Sequence, residues 1–476
     1  MIAPIPLFGA SVERGGFFRS AHLWLAAAAG ALGGLLFGYD WVVIGGAKPF
    51  YELYFHLDSP VLQGWAMSCA LIGCLIGAVS SGSLSNHFGR KRLLTLAALV
   101  FALSSLGTGQ APQFSAFVMW RMLGGYAIGL ASGISPMYIA EISPAHLRGR
   151  LVSLNQLAIV FGILLAQMVN WLIARPVSPG ATAQQILVSW NGQWGWRWMF
   201  AVTAIPSLLF LAATFLIPES PRWLAAKGRD QQAFRVLERL GGPAYARQVS
   251  EDFKATGGAE PQLSILRELS SPGIAKVLLL GVTLAVLQQW CGINVIFNYA
   301  QEVFAAAGYQ VSSILFNIVI TGAVNVVFTL MAFATIDRYG RRFLLLCGVS
   351  GLALIYTILG AFYHFHLQGK PMLVLVLAAI ACYAMSLAPV TWVVIAEIFP
   401  NRIRGSAMSV AVTALWAACF VLTYTFPTLN AALGAAGVFW TYAAICLAGV
   451  IFLYLRLPET RGKTLEEIEI NIRMSK

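Results

Sequence analysis

The stretch GVTLAVLQQWCGINVIFNYA, residues 281–300, is apolar along its length yet carries Gln288, Gln289, Asn294 and Asn298 in its interior. A run of about 20 predominantly apolar residues has the length of a membrane-spanning helix. Inside lipid an amide needs a partner, so these four must face protein, water or a polar ligand. At about 100° per residue, Gln288, Asn294 and Asn298 share an arc of roughly 120°. Gln289 falls outside that arc unless the helix bends near Gly292. The pattern predicts a broken helix lining a cavity. The competing reading is hydrogen bonding between packed helices, which is common for a single buried Gln or Asn.

The rest of the chain supports a membrane setting. Mean hydropathy is +0.74, with 58% hydrophobic and 11% charged residues, against roughly 25% charged in a soluble domain. Twelve spans are predicted, at about 21–44, 61–84, 92–111, 115–138, 151–173, 198–217, 276–300, 312–334, 342–363, 372–396, 407–428 and 436–456. The Ala-rich first span mimics a signal peptide, but Asp40 and the eleven later spans argue against cleavage. The seven cysteines lie in or at the ends of spans, without metal or disulfide spacing, and read as packing residues. The six histidines lie near span ends, and HFH at 364–366 reads as surface, not as a metal site. GKT at 462–464 lacks the upstream glycine of a phosphate loop, Leu457 standing there. No enzyme activity and no cofactor are implied.

A net charge of +12 raises the question of nucleic acid, and its distribution answers against it. With residues 1–20 in the cytoplasm, 26 of the 31 Lys and Arg fall in cytoplasmic segments, while Lys48, Arg175, Arg197 and Lys370 lie outside and Arg121 lies within a span. That is the positive-inside bias of an inner-membrane protein with both termini cytoplasmic. The longest connection, 218–275, carries charged helical patterns such as RDQQAFRVLERL ending in Gly241-Gly242. It divides the chain into a cytoplasmic segment 1–20, a six-span half 21–217, the loop itself, a second half 276–456 and a tail 457–476. The halves repeat each other in order: FGRKR (88–92) with YGRR (339–342), AEISPAHLRGR (140–150) with AEIFPNRIRGS (396–406), and PESPR (218–222) with PETRG (458–462). Two repeated halves meeting at a midplane site is transporter architecture, suited to rocking one half on the other.

The ordered set FGYD (37–40), FGRKR, RMLGGYAIG (121–129), PESPRW (218–223), QQWCGIN (288–294), DRYGRR (337–342), PVTW (389–392), AEIFPNRIRG (396–405) and PETRGKT (458–464) resembles the sugar porters of the major facilitator superfamily across nearly the whole chain. Within that family the chain is most similar to bacterial proton-coupled D-xylose symporters, through SPMYIAEISPAHLRG (135–149) and LVSLNQLAIVFG (151–162). The resemblance implies an all-α integral membrane fold, twelve helices in two six-helix bundles with a small cytoplasmic helical domain, and a monomer whose partners are a monosaccharide, a proton and the bilayer. It implies sugar contacts at Gln156, Gln288, Gln289, Asn294, Asn325, Trp392 and Trp416, with Phe37 at the cavity mouth. The chemistry agrees, since amides donate and accept as sugar hydroxyls do and Trp offers a flat apolar face to C–H groups. Asn298, where a tyrosine is common, joins the candidates. Leu415 stands where the family usually has Gln or Asn, so the identity of the sugar stays open.

Energy coupling is expected at Asp40 and Arg121. A mid-span acid costs roughly 2.5–3.5 kcal/mol even on a lenient insertion scale and needs a reason to persist. The resemblance implies a proton carrier here, where facilitative members have a neutral residue; the alternative is a static buried ion pair. The resemblance also implies a cytoplasmic gate of ion pairs among Arg90, Glu141, Arg148, Glu219, Arg341, Glu397 and Arg404. The functional reading is a proton-coupled monosaccharide symporter. Its alternatives are a facilitative uniporter and a non-transporting sugar sensor, for which the segment after span twelve, about 20 residues, offers little signalling surface.

Overall fold

The computed structural model describes residues 21–144, 147–178, 180–255, 272–399 and 404–458. The helices of the first half are α1 (Ala21–Tyr54), α2 (Pro60–Phe88), α3 (Arg90–Gln110), α4 (Phe114–Ile142), α5 (Arg148–Ile173) and α6 (Asn191–Leu216). Two helices of the long connection follow, α7 (Pro221–Ala226) and α8 (Asp230–Ala255). The second half comprises α9 (Pro272–Trp290), α10 (Ile293–Asn298), α11 (Ala300–Ala306), α12 (Val311–Tyr339), α13 (Arg341–His364), α14 (Lys370–Met385), α15 (Leu387–Ile398) and α16 (Arg404–Arg456).

Eleven stretches of the described residues are long and apolar enough to cross a membrane, the last of them being Ser406–Arg456. At about 1.5 Å per residue its 51 residues would run roughly 77 Å as a straight helix, more than twice the ~30 Å hydrocarbon core. It is instead two spans joined at Gly434, whose φ of 65° and ψ of 173° are not helical. Twelve spans result.

Glycine sets how closely helices approach within a half. A Cβ on Gly125 of α4 would lie 1.9 Å from the Ala70 carbonyl of α2, and one on Gly73 of α2 would lie 2.0 Å from the Met122 carbonyl of α4. Gly77 and Gly129 continue the seam one turn on. In lipid, where apolar side chains gain little by leaving the bilayer, such backbone contact drives helix association. Gly125→Val inserts a branched side chain into this seam. It is expected to lower the yield of monodisperse protein in detergent by more than half, since overpacking costs about 1–3 kcal/mol or more. Size-exclusion chromatography of matched preparations checks it.

The internal repeat is visible in the backbone. Gly89 (φ 97°) ends α2 and Arg90 begins α3; Gly340 (φ 88°) ends α12 and Arg341 begins α13. Across the halves α2 packs on α16 and α5 on α12. Spans two and five of one half thus meet spans eleven and eight of the other, and a pseudo-two-fold axis exchanges the two contacts.

The connection helices form a small unit of their own. Ser220 caps α7 by accepting from the Trp223 amide, and Trp223 and Leu224 bury against Ala233 of α8. The Trp223 indole N–H donates to the Asn86 carbonyl of α2, docking the unit on the first half. The expected stop at Gly241-Gly242 appears as a break inside α8, with Gly242 at φ 84°. Segments 1–20 and 459–476 lie outside the described residues.

Candidate functional site

The amide-bearing span is broken, as its spacing predicted. Gly292 takes the left-handed conformation (φ 85°, ψ −5°) between α9 and α10. The break swings Asn294 back so that its Nδ2 donates to Gln289 Oε1, joining the amide that a regular helix would leave on another face. A second break, not foreseen, lies at Ser386 between α14 and α15. Its cause is legible in Pro389, whose ring would clash with the Met385 carbonyl four residues earlier in a continuous helix. Gln288 spans the two breaks, its Nε2 donating to the carbonyls of Leu387 (3.1 Å) and Ala388 (3.3 Å). Gln288 Oε1 and Asn298 Oδ1 are buried without a protein partner. An unmatched polar atom in such a place costs about 1–3 kcal/mol, so each oxygen is free to take a further hydrogen bond.

An aromatic cluster closes over this region from both halves. Phe37 and Trp41 of α1 stand 5.5 Å and 5.9 Å, centroid to centroid, from Trp416 of α16. Trp392 on α15 and Gln156 on α5 are half-buried, Asn325 on α12 is buried, and Leu415 is buried beside Trp416.

The structure brings Asp40 and Arg121 together. Arg121 Nη1 donates to Asp40 Oδ1 at 2.8 Å, and both side chains are under one-tenth exposed. Asp40 Oδ2 and Arg121 Nε have no protein partner. A small cavity beside the pair is lined by Trp41 and Cys74 from the first half and by Asn298 from the second.

At the end of the bundle that carries α7 and α8, the gate candidates pair within their own halves. Arg90 holds Glu141 through two bonds of 2.9 Å, Nε to Oε2 and Nη2 to Oε1. Glu219 Oε1 accepts from the backbone amides of Arg90 and Lys91, capping α3. Arg341 reaches Glu397 at 3.2 Å, the equivalent contact of the second half. Arg148 donates to the Ala140 carbonyl. Arg404 opens α16, and its side chain lies outside the described residues. The Arg90–Glu141 and Arg341–Glu397 pairs each join helices of one half.

At the opposite end an ion pair does cross between the halves. Lys48 of α1 contacts Glu302 of α11 and, at 3.0 Å, Glu52 of its own helix, with the lysine 4% exposed. Sequence reading ended the first span at residue 44 and treated Lys48 as an outside charge; α1 continues to Tyr54 and buries it. Lys48→Met leaves two carboxylates facing each other without their cation, and breaking one partner of a buried pair costs about 3–5 kcal/mol. The variant is expected to favour states with this end open. Distances between spin labels at Asp58→Cys and Leu367→Cys, in a background lacking the native cysteines, should lengthen; an unchanged distribution would show that the ion pair does not hold this end closed.

Comparison with known proteins matches residues 26–471 to the family model described as sugar (and other) transporter. The chain belongs to that family of sugar transporters. It is 37% identical to the D-xylose-proton symporter of Escherichia coli (strain K12), over 95% of this chain and 96% of the relative. It is 39% identical to the glucose transport protein of Synechocystis sp. (strain ATCC 27184 / PCC 6803 / Kazusa), over 92% and 95%. The solved structure of the E. coli xylose transporter XylE in a partially occluded inward-open conformation superposes with a TM-score of 0.81 at 36% identity, covering 94% of this chain and 100% of that one.

For this sugar transporter, sequence reading missed three features of the site. Trp41 follows Asp40 and stands one helical turn past Phe37, so the turn rule would have found it. Gln167 on α5 is 2% exposed and its Nε2 lies 3.5 Å from Thr321 Oγ1 of α12, a contact across the halves. The argument from amides inside a span, applied to residues 151–173, would have singled it out. The Lys48–Glu302 pair joins residues 254 apart, and no local pattern announces it.

Proposed function

We propose that the protein carries a neutral monosaccharide, a pentose or hexose such as xylose or glucose, across the inner membrane together with a proton, by alternating access. The observation that carries this reading is the juxtaposition of the broken helices at Gly292 and Ser386, with their buried amides, and the Asp40–Arg121 pair close by in the same interior. Gln156, Gln288, Gln289, Asn294, Asn325, Trp392 and Trp416 contact the sugar, with Phe37 at the mouth. The amides exchange hydrogen bonds with hydroxyls, and the indoles stack on the C–H face.

Asp40 carries the proton. A motion that changes the distance between Asp40 and Arg121 changes how strongly the cation acts on the acid, and so links the proton to the rocking. The halves, tied by Arg90–Glu141 and Arg341–Glu397, rock about the α2–α16 and α5–α12 contacts. The end bearing α7 and α8 faces the cytoplasm, as its basic residues require. The buried Asp40–Arg121 pair favours symport over facilitated uniport, which moves no proton.

The reading is tested by charge movement. A sugar concentration jump onto proteoliposomes adsorbed to a solid-supported membrane should give a transient positive current into the vesicles, larger at acidic pH. A sugar that binds and crosses without charge displacement would establish uniport instead.

A further inference from the structure

We infer that Asn298 is the positioning residue through which the sugar-binding half of the protein sets the proton affinity of Asp40. The inference rests on the coupling reading above and deepens it: Asn298 works on the ion pair and is not a sugar ligand.

Three observations carry it. Asn298 is the last residue of α10, 5% exposed, and its Oδ1 has no protein partner. The cavity that it lines is also lined by Asp40 and Arg121, each of which has a buried atom without a protein partner, Oδ2 and Nε. Of the ten residues lining that cavity, Asn298 alone belongs to the second half. The space suits a water-sized bridge with several polar partners, the condition under which a buried water is held.

The chemistry explains why an amide suits this place. Arg121 can only donate, so it serves the carboxylate form of Asp40 and opposes the acid. An amide offers N–H to a carboxylate and C=O to a protonated carboxyl, directly or through a water, so it accommodates both forms. The other titratable groups around the pair are the thiols of Cys69 and Cys74 on α2 and the hydroxyls of Tyr39 and Tyr51 on α1, all neutral at their ordinary pKa values near pH 7. Asn298 is therefore the polar group at this cavity that a movement of the second half would displace.

The mechanical link is short. α10 rests on α1 so closely that a Cβ on Gly45 would lie 2.9 Å from the Asn298 carbonyl oxygen. Asn294, one turn earlier on the same six-residue helix, is paired with Gln289 across the Gly292 break. A sugar drawing on Asn294 and Gln289 shifts α10 as a unit, and the Asn298 amide with it.

The test compares Asn298→Leu, which keeps the branched shape and loses the amide, with Asn298→Gln, which keeps the amide. The pH profile of proton-driven uptake and the sugar Kd at the plateau of that profile are measured for each. Asn298→Leu should move the profile midpoint by about one pH unit, a tenfold change in proton affinity, with the plateau Kd changed by less than about threefold; Asn298→Gln should stay closer to the native midpoint. A lowered affinity at every pH with an unmoved midpoint would make Asn298 a sugar ligand and overturn the inference. Asp40→Asn, measured in parallel, separates the two levels. If it abolishes proton-driven uptake while Asn298→Leu leaves the midpoint alone, only the present inference fails; if it keeps the native profile, the coupling role of Asp40 fails as well.

Discussion

Asp40→Asn is expected to abolish accumulation of sugar against its gradient while leaving sugar binding intact. The amide is nearly isosteric with a protonated carboxyl and cannot ionise, so it holds the site permanently in the proton-loaded form. The proposed hydrogen-bonding and stacking contacts to the sugar lie on α5, α9, α10, α12, α15 and α16, on elements other than α1, and the halves can still rock. What disappears is the differential affinity that ties one gradient to the other. Exchange of labelled for unlabelled sugar should persist, whereas uptake driven by an imposed proton gradient should fall to the background of protein-free vesicles. Arg121→Ala should also impair coupling, by a different route. It removes the cation 2.8 Å from Asp40 and leaves a buried carboxylate without its partner, a change that costs about 3–5 kcal/mol when the acid stays ionised.

The second large effect is expected in the cavity. Gln288→Ala and Trp392→Ala should each weaken sugar binding by roughly 5- to 150-fold, equivalent to about 1–3 kcal/mol. Gln288 is proposed to do two things: its Nε2 bonds the carbonyls at the start of α15, and its Oε1, without a protein partner, would accept from the sugar. Its loss therefore removes a sugar contact and loosens the join between the two broken helices. Trp392, half-buried on α15, is proposed to give the sugar an apolar face. Calorimetric titration of purified protein distinguishes the cases, and unchanged affinity in both variants would remove these residues from the site.

Much of this was legible in the sequence because its signals are short-range. Hydropathy runs a helix's length apart mark spans, and the repeated glycine-arginine pairs at 89–90 and 340–341 become the same backbone turn in each half. The four amides of residues 288–298 announced a break because one of them could not share a face with the rest. Periodicity could not say that Gly292 would bring Gln289 and Asn294 into contact, since that depends on a single positive φ. Nor could it say which way Asn298 faces, which turns on how α10 seats against Gly45 of α1. The length of α1 was underestimated because hydropathy fades where a buried charge enters, and the helix runs ten residues beyond the expected end of the span at 44. Pairings such as Lys48 with Glu302 and Gln167 with Thr321 are made by the packing of the halves and leave no local trace.

Radiolabelled sugar uptake into proteoliposomes, with and without an inwardly directed proton gradient and with an ionophore control, tests proton-coupled sugar transport most directly. Xylose and glucose serve as the first substrates. Concentration of the sugar inside the vesicles above the external level, dependent on the gradient and collapsed by the ionophore, is the predicted result. Uptake that stops at equal concentrations on both sides, whatever the gradient, would contradict the account.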